Sequence, residues 1–201
     1  MGRSSATAPD PRRRDASKNR LSPLAVAALT DNAPGRGGAR KLIANLPYQI
    51  ATPLLVELLL GEPALERMVF AIQREVAERL SADTGSDDYG PLAILTSLFA
   101  EVRVLEKLPP QVFWPPPQVH SSLVRLTPDP ARIGDIGRAR ALAAFVRTAF
   151  QQRRKTLRRI LRESENGRVL DAAAEVGISL DARPETVSPE RWRTWFDAAH
   201  S

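Results

Sequence analysis

Asn45-Leu46-Pro47-Tyr48 is the segment of this 201-residue chain whose residue types can do chemistry on an aromatic amine. The exocyclic nitrogen of a base such as adenine is a poor nucleophile, because its lone pair is delocalised into the ring and no side chain usefully deprotonates it at neutral pH. A protein must orient it instead. The Asn45 amide oxygen and a backbone carbonyl next to Pro47 can accept its two hydrogens and leave the lone pair directed at an electrophile. Pro47 has no N–H and a fixed φ, so the turn presents carbonyls. Tyr48 offers a flat face for an unstacked base, a contact worth roughly 1–3 kcal/mol. The same four letters also suit a strand-to-helix turn with Asn45 as a local cap and Tyr48 in the core.

The elements that position this segment can be read from apolar spacing. Residues 41–44 read as a strand, 52–60 as a helix, and 67–72 as a strand running into a helix at 73–81. A helix at 91–100 follows, then strands at 102–105 and 122–126 with a proline-rich loop between them. Beyond Pro128 and Pro130 the pattern turns helical, at 138–162, 168–177 and 189–199. Ser188-Pro189-Glu190 is a helix start, with Ser as cap and Pro at the first position. Trp192, Trp195 and Phe196 are expected to fill the helical core. Within the chain, Glu75 and Arg79 are spaced for an i,i+4 surface ion pair. Asp87-Asp88-Tyr89-Gly90 reads as a helix-capping turn, with Tyr89 either structural or on the side that faces a ligand.

The net charge of +6 is unevenly spread. Residues 1–20 carry +4, 21–137 carry −3, 138–168 carry +8 and 169–201 carry −3. The first basic block, around Arg12-Arg13-Arg14, lacks apolar periodicity and is expected to be disordered. The second lies on a helix whose apolar residues, among them Leu142, Phe145, Val146, Ala149 and Leu157, recur at three- and four-residue steps. Its other face carries Arg147, Arg154, Lys155, Arg158 and Arg162, with a break or bend at Gln151–Arg154. Such a face suits phosphates, since each one neutralised releases counterions; a solvated surface is the alternative. The chain has no cysteine and two histidines, which speaks against disulfides and against a zinc site. Its apolar stretches are too short for a membrane span. We expect a cytoplasmic protein, with neither membrane nor metal.

Five motifs occur in order: Asn45-Leu46-Pro47-Tyr48 with the following residues to Leu55, residues 68–80, Asp88-Tyr89-Gly90-Pro91-Leu92, Phe113-Trp114-Pro115-Pro116-Pro117 through Ser121, and Phe150-Gln151-Gln152-Arg153-Arg154-Lys155-Thr156-Leu157-Arg158. Together they resemble the ribosomal RNA adenine N6,N6-dimethyltransferases of the small subunit, over residues 41–198. The resemblance implies an α/β fold: the C-terminal half of a class I, Rossmann-like methyltransferase sheet, followed by a small all-helical domain. The implied division is a basic linker at 1–40, a partial methyltransferase domain at 41–128 and a helical RNA-contacting domain at 129–201. It implies a catalytic role for Asn45, Leu46, Pro47 and Tyr48, with Phe113 facing Tyr48 across the target base. The proline run holds its loop extended and so presents Phe113, although a core role is the alternative; Trp114 is assigned no role. It implies RNA contacts by Arg147, Arg153, Arg154, Lys155 and Arg158. The implied partner is small-subunit rRNA or a 30S precursor, met as a monomer, and the implied methyl donor is S-adenosylmethionine.

A class I donor site needs a Gly-rich loop after a first strand and an acidic residue ending a second. Here the Gly-rich stretch is Gly35-Arg36-Gly37-Gly38, with no strand-like run before it, so it reads as a linker. Asn45 is then the one retained candidate for cofactor contact, and the edge at 42–44 is expected to lack a neighbour. Three readings follow: a dimethyltransferase, a non-catalytic rRNA-binding or ribosome-assembly module, or a piece of a longer protein.

Overall fold

Residues 40–47, 50–61, 65–162 and 167–201 are described by the computed structural model. The basic segment and the Gly-rich stretch lie outside them, as does Tyr48. Strands β1 (Lys41–Asn45), β2 (Arg67–Gln73), β3 (Ala100–Leu108) and β4 (Ser121–Pro128) form one sheet in the order β1-β2-β4-β3. β1 and β2 are parallel and joined through helix α1 (Ala51–Leu59); β4 runs antiparallel to both β2 and β3. β2 is central, and Met68, Phe70, Ala71 and Ile72 are buried along it. In β4, fully buried Val124 and Leu126 alternate with half-buried Leu123, Arg125 and Thr127, the period-two pattern of a strand with one face on the core.

This topology decides where the loops meet. Parallel β1 and β2 finish at the same sheet end, with Asn45 opposite Ala71. Antiparallel β4 must begin there, and β3, antiparallel to β4, must finish there, with Leu108 opposite Ser121. The β3–β4 connection, residues 109–120, therefore crowns the same end as Asn45.

Helix α2 (Arg74–Leu80) leaves β2 directly, and α3 (Pro91–Phe99) is apolar on nearly every side because it is covered on nearly every side. Its Thr96 hydroxyl donates to the Leu80 carbonyl at 2.6 Å, which ties α3 to α2 and satisfies a buried polar group. On α3 pack α4 (Pro130–Ile133), α5 (Ile136–Ala149) and α8 (Pro189–Ala199), with α6 (Leu157–Arg162) and α7 (Gly167–Glu175) beyond. Local chemistry sets these starts: the Asp129 carboxylate accepts from the Ala131 and Arg132 N–H groups, Asp135 from Arg138, and Ser188 from Arg191. Gly177, at φ 68°, takes the left-handed conformation that ends α7. One apolar cluster runs from Leu46 to Ala199, so the sheet and the helices share a core.

The break expected at Gln151–Arg154 appears as a 3₁₀ turn at Phe150–Gln152, which separates α5 from α6. The first N–H groups of α6 find partners elsewhere: Leu157 donates to the Ala182 carbonyl and Arg158 to that of Leu180. Arg79 pairs with Asp88 at 3.6 Å rather than with Glu75, while Arg74 pairs with Glu78 at 3.4 Å.

Candidate functional site

Asn45 is the last residue of β1 and is exposed. Leu46 behind it is buried, and its N–H donates to the Ala71 carbonyl at 3.1 Å, extending the β1–β2 ladder by one bond. That anchor holds Asn45 at the sheet end. The Pro47 carbonyl accepts from the Ile50 N–H at 3.1 Å, so one of its lone pairs closes the turn into α1 and the second remains for a ligand. Among the described residues the Asn45 amide has no hydrogen-bond partner.

From the opposite side of the sheet comes the proline-rich loop. The turn Pro110–Val112 closes with the Phe113 N–H donating to the Pro110 carbonyl at 3.1 Å. Phe113 is then extended (φ −110°, ψ 152°) and half-buried. A cleft of about 390 Å³ is lined by Asn45, Leu46 and Pro47 on one side and Phe113, Trp114, Pro115 and Pro117 on the other. Residues from two of the five motifs thus meet at one cavity, large enough for a nucleobase. Trp114 stands 96% exposed at it. Composition gave no sign of this, since an aromatic beside three prolines reads equally as core.

A second, larger concavity, about 780 Å³, lies between α1, α3 and α5, with Val56, Leu92 and Phe150 among its apolar walls and Arg147 on its rim. Tyr89 borders it yet does not face a ligand. It is 1% exposed, and its hydroxyl donates to the Val187 carbonyl at 2.7 Å. Burial pushes this hydroxyl up to about 12; a hydrogen bond with Thr84 opposes the rise and the Glu190 charge adds to it. Of the two roles read for Tyr89, the structural one holds.

The basic block divides in the same way. Arg138 binds Asp197 at 2.7 Å, Arg140 reaches the Leu60 carbonyl at 3.0 Å, and Arg168 the Ala198 carbonyl at 3.1 Å. Two of the RNA-contact candidates are also engaged, Arg153 with the Asp87 carbonyl at 3.0 Å and Arg158 with Asp181 at 3.1 Å. The side chains of Arg147, Arg154 and Lys155 make no ion pair or hydrogen bond with the described residues, and neither does that of exposed Arg159, which periodicity had not singled out. Arg154, exposed, and Lys155, half-buried, sit in the break between α5 and α6. No group of three or more metal-type ligands occurs among the described residues. No helix among them is long and apolar enough to cross a membrane.

Comparison with known proteins bears on this arrangement. The profile of the ribosomal RNA adenine dimethylases matches residues 37–200. The chain belongs to this family. Relatives named ribosomal RNA small subunit methyltransferase A include one from Nitratidesulfovibrio vulgaris, 43% identical over 76% of this chain and 57% of its own, and one from Rhodospirillum rubrum, 41% identical over 85% and 59%. A third, from Pelotomaculum thermopropionicum, is 44% identical over 84% and 59%. The chain spans somewhat under three fifths of the length of these relatives. Among solved structures, a dimethyladenosine transferase from Plasmodium falciparum superposes with a TM-score of 0.68 at 23% identity, covering 84% of this chain and 68% of that one. The 23S rRNA methyltransferase ErmE gives 0.58 at 22%, covering 85% and 69%. The fold is that of the family: the C-terminal part of a Rossmann-like methyltransferase sheet with helices after it.

A family member is expected to meet S-adenosylmethionine. Among the described residues β1 has no strand neighbour beyond β2 and presents Leu42, Ile43 and Ala44 at that edge, with Ile43 85% exposed, and no Gly-rich turn or strand-ending acid accompanies it. The described residues alone do not fit the donor, and the chemistry assigned to them is confined to the acceptor.

Proposed function

We propose that this chain binds small-subunit ribosomal RNA and holds an adenine in the cleft between Asn45-Leu46-Pro47 and Phe113 for N6 methylation, S-adenosylmethionine being the donor that the family implies. One observation carries the reading: the strand-end motif and the proline-loop aromatic, distant in sequence, line the same cavity. In it, the Asn45 amide oxygen and the second lone pair of the Pro47 carbonyl accept the two N6 hydrogens, which orients the amine instead of deprotonating it. Phe113 supports one face of the base and Tyr48 the other. Arg147, Arg154 and Lys155, with Arg153 and Arg158 beside them, meet phosphates, and residues 129–201 serve as the RNA-contacting part. We read the protein as a cytoplasmic monomer.

A second reading is favoured by the free β1 edge: the 201-residue chain binds RNA without transferring a methyl group. A single experiment tests both. The purified chain is titrated with an RNA hairpin whose loop carries two adjacent adenines, and with the same hairpin made abasic at those positions; methyl incorporation from labelled S-adenosylmethionine is then counted. Tighter binding of the adenine hairpin supports the acceptor reading, and equal binding overturns it. Incorporation of label selects the enzyme, and its absence selects the binding module.

A further inference from the structure

Trp114 is the most exposed large apolar side chain of the described residues, and it stands at the cleft. The other two of the chain's three tryptophans, Trp192 and Trp195, are fully buried. A ring of this size gains by leaving water, yet Trp114, 96% exposed, has no wall to pack on among the described residues and is open to a ligand. The flanking geometry says where. Phe113 is extended, so its side chain and the next one diverge; both residues line the cleft, Phe113 half-buried and Trp114 96% exposed. Pro115 and Pro117 line the same wall and limit the backbone that carries the indole. Two rings set back to back on one extended segment cannot grip the same base.

We infer that Trp114 is a stacking platform for the RNA base next to the one held in the cleft. This rests on the acceptor reading: an adenine pulled into the cleft leaves its strand neighbour with one face bare, and the indole supplies a replacement. Stacking of this kind is sequence-tolerant, so Trp114 fixes the register of the strand across the cleft rather than the identity of the neighbour. Because the ring makes no contribution to the core, its removal leaves the fold intact.

The full chain is titrated with the adenine hairpin as wild type, Trp114→Ala, Trp114→Phe and Phe113→Ala, and each with hairpins abasic at the cleft position or at its neighbour. Trp114→Ala is expected to weaken binding about 5- to 100-fold and Trp114→Phe only about twofold, with the Ala penalty vanishing on the neighbour-abasic RNA. Acrylamide quenching of tryptophan emission reads the same stacking directly, because Trp114 is the solvent-accessible tryptophan: RNA should lower its quenching constant about twofold or more. Unchanged affinity of Trp114→Ala together with unchanged quenching overturns the inference. If Phe113→Ala then still loses affinity on the intact RNA, the acceptor reading survives and only the platform fails; if neither variant loses affinity, both fail.

Discussion

Aromatic residues gather in two regions of this molecule under opposite rules. In the helical part, Phe145 lies edge-on to Trp192 and Trp195 with ring centroids 5.9 and 5.2 Å away, and the two indoles stack at 5.3 Å. The Trp195 Nε1–H donates to the Val169 carbonyl at 2.8 Å. At the sheet end, Phe113 and Trp114 touch a cavity and water. The same residue type seals a core in one place and waits for a ligand in the other. What separates them is cover: α8 carries both indoles against Phe145 of α5, with Val169 of α7 beside Trp195, whereas Trp114 on the proline loop stays 96% exposed.

The widest gap between the regions should be in stability. Trp195→Ala removes a fully buried ring and its hydrogen bond, and we expect a loss of about 3–5 kcal/mol. Trp114→Ala should stay within about 0.5 kcal/mol. Urea unfolding followed by circular dichroism checks both, and similar midpoints for the two variants would erase the contrast. Next in size is Tyr89, whose buried hydroxyl donates to the Val187 carbonyl ahead of α8. Its folded pKa, raised to about 12 from the ordinary 10.0, means that the native state keeps a proton that the unfolded chain releases between those values. Stability is therefore full below pH 10 and falls as pH climbs toward 12, by about 2–3 kcal/mol. Tyr89→Phe should remove that slope while costing about 1 kcal/mol at neutral pH. A Tyr89→Phe chain with the wild-type alkaline slope would place the titrating group elsewhere.

Why the sequence revealed some of this and not the rest follows from what each feature depends on. β2 and β4 were legible within one or two residues because alternation or continuous apolar character reports burial directly. β3, expected at 102–105, extends over Ala100–Leu108 because Lys107 and Leu108 pair with Ser122 and Ser121 across a bulge at Leu105, and pairing of that kind leaves no apolar signal. The break before α6 was visible only as a polar run; its cause is the carbonyls of Leu180 and Ala182, residues far along the chain. Asn45 and Phe113 were legible as candidates through their motifs, but their meeting at one cleft needed the β1-β2-β4-β3 order. Trp114 was illegible, since ring size argues for burial and only the surrounding walls argue against it.

Smaller effects should appear among the cations, where the contrast is between occupied and available charge. Arg154→Glu with Lys155→Glu reverses two charges that no described side chain engages, so the slope of log affinity against log salt should flatten by roughly one unit for each phosphate that is no longer neutralised. Arg158→Ala should do less, because Asp181 already holds that guanidinium. Equal slopes for all three proteins would put this face outside the RNA interface.

The smallest binding effect should belong to the residue nearest the chemistry. Asn45 is exposed, and water satisfies its amide as well as the N6 hydrogens of an adenine before they meet; exchanging those partners for each other nets little free energy. Asn45→Ala should therefore leave RNA affinity within about twofold and stability within about 0.5 kcal/mol. What the amide contributes is direction, which an equilibrium titration does not weigh, so in any transfer-competent form of the protein the same variant should lose turnover almost completely. A tenfold loss of affinity would make Asn45 an anchor like Phe113 and Trp114. Unchanged turnover would move the orienting role to the carbonyls beside Pro47.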